Sequence, residues 1–130
     1  FGRALDALAQ RHPVIASRYE RDEAGLPQQW VPAAPSIACE LIALPDATAN
    51  EQLEAMERAY RRPIVLAQGA SRATVFALGP EQHVVLLTIH HIAVDASSLW
   101  TLFDELGQLY AAQAGGAPHA LAPPARDHAD

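Results

Sequence analysis

Three stretches of the chain carry apolar residues at helical spacing, and each has a start or stop signal. The first lies at the amino terminus and ends at Pro13, because a proline disfavours helical geometry in the residue before it. The second begins at the capping box Thr48-Ala49-Asn50-Glu51 and ends at Pro63. The third follows a loop at residues 90–97 and stops at Gly115-Gly116, with Pro118 beyond. The stripes that we expect these helices to bury are Phe1, Leu5, Leu8 and Ala9; Leu53, Met56 and Tyr60; and Leu99, Leu102, Phe103, Leu106, Leu109 and Tyr110.

The apolar segments between the helices are typical of strands. They are residues 14–21, 28–31, 37–43, 72–78 and 83–89. The turn Gly79-Pro80-Glu81-Gln82 predicts that the last two form a hairpin. The run Val84-Val85-Leu86-Leu87-Thr88-Ile89 is apolar on both faces, which predicts a central strand covered on both sides. The pattern as a whole predicts an α+β fold, with a mixed or antiparallel sheet and helices packed against it.

Composition narrows the choice of function without naming one. The 130 residues are 50% hydrophobic and carry a formal net charge of −6, which suits a single folded domain or part of one. With no basic stripe, nucleic acid is not an expected partner. No membrane association is expected either, since the surface is acidic and no apolar run approaches the ~20 residues of a membrane span. The single Cys39 cannot form an internal disulfide and is expected to be a small buried hydrophobe, so we expect a cytoplasmic location, and the Ala, Leu and Arg bias suggests a bacterium.

One segment combines chemically active residues, and it lies between the buried strand and the third helix. His90 and His91 follow the apolar run, and Asp95 comes four residues after His91. Neighbouring side chains of an extended chain point to opposite faces, so we expect one histidine to pack inward with a hydrogen bond and the other to face a cleft. A histidine there can take a proton from an attacking nucleophile. Asp95 is suited to hold an imidazole, bind an arginine or cap the helix that follows.

A metal site is a second class of hypothesis for this segment. His90, His91 and Asp95 are all ligand types, but adjacent histidines on an extended chain rarely converge on one ion, and no further ligand has motif spacing. Ser97 and Ser98 are expected to cap the third helix rather than to act as nucleophiles. The remaining histidines have little claim to function; they are His12, His83, His119 and His128.

The segment His90-His91-Ile92-Ala93-Val94-Asp95 resembles the HHxxxDG signature of nonribosomal peptide synthetase condensation domains, which belong to the chloramphenicol acetyltransferase-like superfamily. Ala4–Leu8 with Gln10–Pro13 is similar to the family's ALxxLxxRHExLRTxF element. Leu99–Tyr110 resembles its xxLxxELxxLY helix, and Arg72 with the following strand its PLxRaxL element. Order and spacing agree over almost the whole chain.

The resemblance implies a role for each residue of the signature. His91 is the catalytic residue, which deprotonates or orients the acceptor or stabilises the tetrahedral intermediate. Asp95 is structural and pairs with Arg11, which would fix the loop that aims His91. His90 is a packing residue in support of the site. Ala96 stands where the family has glycine, and its methyl group places activity in question, because glycine permits backbone geometry and a close substrate approach.

The resemblance also implies the domain organisation. Residues 1–117 are expected to be part of the amino-terminal lobe, and the Pro- and Ala-rich residues 118–130 a tail leading to a second lobe after Asp130. The family's opening strand and helix would precede Phe1. Ala16 replaces the second arginine of the RHExLRT element, which is consistent with a specialised subtype.

The expected activity is acyl transfer from a carrier-protein-bound thioester to an amine or hydroxyl acceptor on a second carrier, in nonribosomal peptide or hybrid polyketide biosynthesis. The partners are then the donor and acceptor carrier proteins and the second lobe. The only cofactors are the carriers' 4'-phosphopantetheine arms, and no metal or nucleotide is implied. The alternatives are a stand-alone, ester-forming acyltransferase of the same superfamily and a non-catalytic, carrier-binding lobe. An epimerisation domain ranks lower.

Overall fold

The computed structural model describes residues 1–115 and has three α-helices, a short 3₁₀ helix and five strands in that range. In chain order they are α1 (Gly2–Arg11), the 3₁₀ helix (Pro13–Ala16), β1 (Arg18–Arg21), β2 (Pro27–Trp30), β3 (Ala38–Ala43), α2 (Ala49–Arg61), β4 (Ser71–Ala77), β5 (His83–Ile89) and α3 (Ala96–Gly115). The predicted Pro118 stop signal and the tail 118–130 lie outside the described residues, so the boundary after residue 117 stays a prediction. No helix within the described range is long and apolar enough to span a bilayer.

The strands form two sheets, and the larger one is mixed, as predicted. β1 and β2 pair as a separate antiparallel hairpin. In the three-stranded sheet, β3 runs parallel to β4 and β5 runs antiparallel to β4. The parallel pair needs a crossover, and α2 supplies it. The predicted β4–β5 hairpin is confirmed, and its turn is closed by a hydrogen bond of 2.9 Å from the Leu78 N–H to the Gln82 carbonyl.

The prediction that the run 84–89 is a central strand is wrong for the part of the chain that the structure describes. The strand order is β3-β4-β5, so β4 is central and β5 lies at an edge. The predicted cover on both faces is only partial: Val84 and Leu86 pack towards α2, and Leu87 belongs to the cluster that α1 and α3 form on the other side, but Val85 on that side is 39% exposed. An apolar run on both faces therefore indicates two covering layers and carries no information on position within the sheet.

Each face of the sheet has its own hydrophobic cluster. The larger one joins α1, the 3₁₀ helix and α3 to the sheet; its fully buried members include Leu5, Leu8, Ile15 and Leu109. The smaller one lies under α2 and is built on Phe76, which is 0% exposed, with Ala55 and Ala59. The molecule thus has three layers, with α1 and α3 on one side of the sheet and α2 on the other.

In two of the three helices, some of the residues that were predicted to be buried are exposed. On α2, Leu53 and Tyr60 are 56% and 70% exposed, because the helix rests on the alanines of its neighbouring face and lies close to the sheet. On α3, Phe103 and Tyr110 are about half exposed and line a groove of about 650 Å³ between α3 and the uncovered half of the sheet. The stripe of α1 is confirmed except at Phe1, which is half-buried and has an edge-to-face contact with Tyr110.

The strand predicted over residues 14–21 begins only at Arg18. Pro13 fixes its own φ near the value of a helical turn, and a 3₁₀ helix follows instead. Val14, Ile15 and Ala16 are all buried, and a short run that is apolar throughout does not by itself distinguish a strand from a helical turn.

Candidate active site

The signature loop, which is the HHxxxD segment at residues 90–95, begins where β5 ends, and backbone contacts hold it to the sheet. The His90 N–H donates to the Ala70 carbonyl at 2.8 Å, which extends the strand pairing by one step. The Ala93 N–H then donates to the His90 carbonyl at 3.0 Å and closes a tight turn. Ala93 and Val94 are buried in the larger cluster. The loop is therefore anchored by its apolar residues, and its polar residues are left at the surface.

Both histidines are exposed in this chain, so the expected inward packing of one of them is wrong for the described residues. The loop's inward positions are taken by Ala93 and Val94. His90 still has a local structural contact, because its Nδ1 accepts a hydrogen bond of 3.1 Å from the Ile92 N–H. His91 lies in the turn, where a ligand can reach its ring from this end of the sheet. Its catalytic role stays a prediction.

Asp95 caps α3. Its Oδ1 accepts hydrogen bonds from the Ser98 N–H at 2.7 Å and from the Ser97 hydroxyl at 2.9 Å. A carboxylate at this position satisfies a free N–H of the first turn and interacts favourably with the helix dipole. The expectation that Ser97 and Ser98 cap the helix is wrong, since both lie inside its first turn and donate to Asp95. The predicted pairing of Asp95 with Arg11 stays a prediction.

Ala96 is the first residue of α3 and has no unusual backbone geometry. No residue other than glycine has a positive φ in residues 1–115. Alanine therefore adopts the conformation of this position without strain, and one of the two objections to replacing the family's glycine no longer applies. The objection that remains is the space that the methyl group takes from an approaching substrate.

A compact ionic cluster joins the end of α1 to the middle of α3. Arg11 contacts Glu105 through two hydrogen bonds, from Nε to Oε2 at 3.1 Å and from Nη2 to Oε1 at 3.0 Å. The Nε2 of His12 lies 2.6 Å from the same Oε2. The three side chains are only 12–17% exposed, so little water screens these contacts. Bidentate arginine–carboxylate pairs are among the strongest polar contacts in proteins.

The electrostatics of the cluster favour a charged Glu105. Burial on its own raises the pKa of Glu105, but the hydrogen bonds and charges of Arg11 and His12 lower it below the usual value. The hydrogen bond to Glu105 in turn raises the pKa of Arg11, against the opposing effect of desolvation. Protonation of Glu105 would therefore weaken the contact between α1 and α3.

The sequence patterns point to no role for Glu105 and favour none for His12. Arg11 and Glu105 are 94 positions apart, and no hydrophobic period or local motif links them. The available signal was the glutamate in the stretch that resembles xxLxxELxxLY, read together with the Arg-His pair of the RHE element.

Two further candidate chemistries find little support among the described residues. Within residues 1–115, no group of three His, Cys, Asp or Glu side chains is placed to bind a metal ion. Cys39 is exposed, which corrects the expected burial. Partial desolvation still raises the pKa of its thiol, which disfavours the nucleophilic thiolate.

Comparisons with known proteins agree on one family. A family model described as "Condensation domain" matches residues 1–130. The chain is 36% identical over 128 residues to a dimodular nonribosomal peptide synthase of Bacillus subtilis (strain 168), which covers 98% of this chain and 5% of that protein. It is 34% identical over 109 residues to tyrocidine synthase 2 of Brevibacillus parabrevis, which covers 82% of this chain and 3% of that protein.

Solved structures give the same fold. The first condensation domain of the calcium-dependent antibiotic synthetase, in complex with substrate analogue 2a, has 28% identity and a TM-score of 0.74, over 93% of this chain and 30% of that one. The complex of the X-domain and OxyB from teicoplanin biosynthesis has 25% identity and a TM-score of 0.83, over 98% of this chain and 27% of that one. The fold is chloramphenicol acetyltransferase-like, and the chain corresponds to the amino-terminal portion of the domain.

Proposed function

The chain belongs to the condensation domain family, and from that premise we propose that it supplies the catalytic histidine for acyl transfer between two carrier-bound substrates. The donor is a thioester on one carrier protein, and the acceptor is an amine or hydroxyl on a second carrier. The new amide or ester bond forms as the carbon–sulfur bond of the thioester breaks, and the released thiolate takes up the proton that the acceptor loses. His91 accepts or orients that proton.

The observation that carries this proposal is the setting of His91. Its ring is exposed, on a turn whose backbone is tied to the sheet at one end and capped onto α3 at the other. A general base has to be accessible to the substrate and held within hydrogen-bond distance of the proton it receives. The imidazole of His91 is exposed and its turn is anchored at both ends, and this combination supports the proposal.

The partners follow from the same proposal. The two substrates arrive on 4'-phosphopantetheine arms, which belong to the donor and acceptor carrier proteins. The chain spans 1–5% of the curated relatives it matches and about 30% of the solved chains. We therefore propose that a second lobe completes the tunnel in which the two arms meet.

The test uses the complete native protein that contains this chain. A loaded donor carrier is mixed with an acceptor carrier, and small amine and hydroxyl acceptors are offered in parallel, with products followed by intact-protein mass spectrometry. His91→Ala is expected to lower the rate about 10²- to 10⁴-fold, the usual contribution of a general base. His83→Ala is the matched control, because His83 is also exposed but begins β5 at the opposite end.

Each outcome decides something. Loss of product with His91→Ala alone supports the proposal, and the acceptor that reacts decides between amide and ester formation. Equal rates for His91→Ala and wild type would sink the catalytic assignment. No turnover with any acceptor would favour the second candidate, a binding lobe.

That second candidate rests on one specific likeness. The solved X-domain structure that resembles this chain is a complex with OxyB, a partner protein. A domain of this fold is thus able to bind a partner protein. Binding of carrier proteins to the complete protein without product formation, measured by calorimetry, would support it.

A further inference from the structure

The signature loop has two attachments, and each leads to a different element of the larger cluster. At its entry, the His90 N–H donates to the carbonyl of Ala70. The Ala70 N–H in turn donates to the Ser17 carbonyl at 2.9 Å, and the neighbouring Ser71 hydroxyl donates to the Ile15 carbonyl at 2.6 Å. The entry of the loop is therefore tied, through buried hydrogen bonds, to the 3₁₀ helix and the residue that ends it.

At its exit, the loop is tied to α3. Asp95 caps the helix, and the Leu99 N–H donates to the Asp95 carbonyl at 3.2 Å. A helix is a stiff rod with a rise of about 1.5 Å per residue, so a shift at its middle moves its first turn as well. The position of Asp95 and of the turn before it thus depends on where α3 sits.

The ionic cluster of Arg11, His12 and Glu105 connects these two attachments. Arg11 and His12 directly precede the 3₁₀ helix, to which the loop's entry is tied. Glu105 lies on α3, which carries the loop's exit. Its carboxylate accepts hydrogen bonds from Nε and Nη2 of Arg11 and contacts His12. The side chains are largely buried, which excludes most water. The contacts of one side chain therefore link the entry of the loop to its exit.

We propose that Glu105 is a positioning residue for His91, which locks α3 to the end of α1 and so fixes both ends of the loop that carries the catalytic imidazole. The inference rests on the proposed function, because it assumes that the position of His91 matters for acyl transfer. Glu105 itself lies in a side-chain cluster between two helices and touches neither substrate nor reacting atoms.

The test compares four variants of the complete native protein. Glu105→Gln keeps the shape and removes the charge, and Glu105→Asp keeps the charge and shortens the reach. Glu40→Gln is the matched charge control, since Glu40 pairs with Arg62 at 3.1 Å on the surface, where both side chains are about half exposed. Phe76→Leu is the stability control, because it loosens the α2 face without touching the cluster.

Two readouts separate positioning from general damage. Glu105→Gln is expected to lower kcat about 10- to 100-fold with little change in KM, the usual effect of a misplaced catalytic group. Peptides covering residues 88–99 are expected to exchange amide hydrogens faster than wild type, while peptides covering α2 do not. Glu105→Asp should recover part of the rate, Glu40→Gln should match wild type, and Phe76→Leu should alter exchange only in α2 and its strands.

The outcomes distinguish this inference from the proposed function. If Glu105→Gln matches wild type in both readouts while His91→Ala loses activity, the positioning role is wrong and the proposed function stands. If Glu105→Gln speeds exchange over residues 88–99 but neither variant changes the rate, the loop is anchored as described and the proposed function is wrong. Equal losses in Glu105→Gln and Phe76→Leu, with exchange raised everywhere, would reduce Glu105 to a general stabilising residue.

Discussion

Each face of the sheet has an arginine that joins two elements, and the two arginines bind different kinds of acceptor. On the α1/α3 face, Arg11 binds a side-chain carboxylate on another helix, so its contact depends on the charge of Glu105. On the α2 face, Arg72 donates to backbone carbonyls at the end of α2, to Ala59 at 2.9 Å and to Pro63 at 2.8 Å. Burial lowers the pKa of Arg72, yet it stays charged, and carbonyls do not titrate.

The difference shows that contacts which only stabilise the fold and contacts which also position the candidate site lie on opposite faces of the sheet. On the α2 face, Arg72 binds the end of α2 and so anchors the crossover between β3 and β4. The α1/α3 face contains the buried residues of the signature loop and the ionic cluster. Damage on the second face should therefore reach His91, and damage on the first should not.

The largest effects are expected from removing a buried side chain on each face. Phe76→Ala should destabilise the α2 face by about 3–5 kcal/mol, and Leu109→Ala the α1/α3 face by about 2–5 kcal/mol, since both side chains are fully buried. Native-state hydrogen exchange on the complete protein gives the local opening free energies. Faster exchange of the signature loop is expected for Leu109→Ala alone. Equal effects of both variants on both faces would mean that the sheet opens as one cooperative unit and would break the comparison.

Acid should weaken one face more than the other. The folded-state pKa of Glu105 is lowered, so its stabilising contribution is fully present above the ordinary glutamate pKa of about 4.3 and is lost as the pH falls through the lowered value. Relative to Glu105→Gln, the wild type should be more stable by about 1.5–3 kcal/mol at pH 7, the range of hydrogen bonds to charged groups.

Urea unfolding of both proteins between pH 7 and pH 2.5 measures this difference. It should shrink below about pH 4, where the unfolded glutamate becomes protonated. A difference that is constant with pH would mean that packing, rather than the charge of the carboxylate, stabilises the contact.

The smallest effects are expected from removing the two helix caps. These variants give the sharpest comparison of the two faces, because one cap lies on each. Thr48 caps α2, and Asp95 caps α3. Thr48→Ala and Asp95→Ala should each lower local stability by about 1 kcal/mol, as cap removal usually does. Only Asp95→Ala is expected to lower kcat, because only α3 carries the loop exit. Exchange of the first-turn amides and the transfer assay measure the two effects, and an equal kcat for both variants would argue against the link.

The sequence predicted the features that depend on local signals. The capping box at Thr48 placed the start of α2, and the turn before His83 placed the β4–β5 hairpin. It did not predict that Leu53 and Tyr60 are exposed, because a helical stripe gives a direction but not the distance to the layer beneath. The sequence also could not show which strand is central and which lies at an edge, because a covered strand has the same apolar pattern in either position.

In the candidate site too, the features that depend on local signals were predictable and the long-range contacts were not. The signature made His91 and Asp95 candidates because motif residues lie close together in the chain. The observed cap is one of the three uses that the spacing left open for Asp95. The partnership of Arg11 with Glu105 joins residues far apart in sequence, and it arises from the way α1 and α3 cross. A single sequence holds no record of such pairs unless a family pattern contains both.

The mixed sheet also sets an order for folding. β4 and β5 are joined by residues 78–82 only, and hairpins form in about 1–10 μs. β3 is separated from β4 by residues 44–70, and its parallel pairing must wait for that long loop to close. During synthesis β3 is made first, yet it has no partner until β4 has emerged. We therefore expect β3 to join last and to take its register from a hairpin that is already formed.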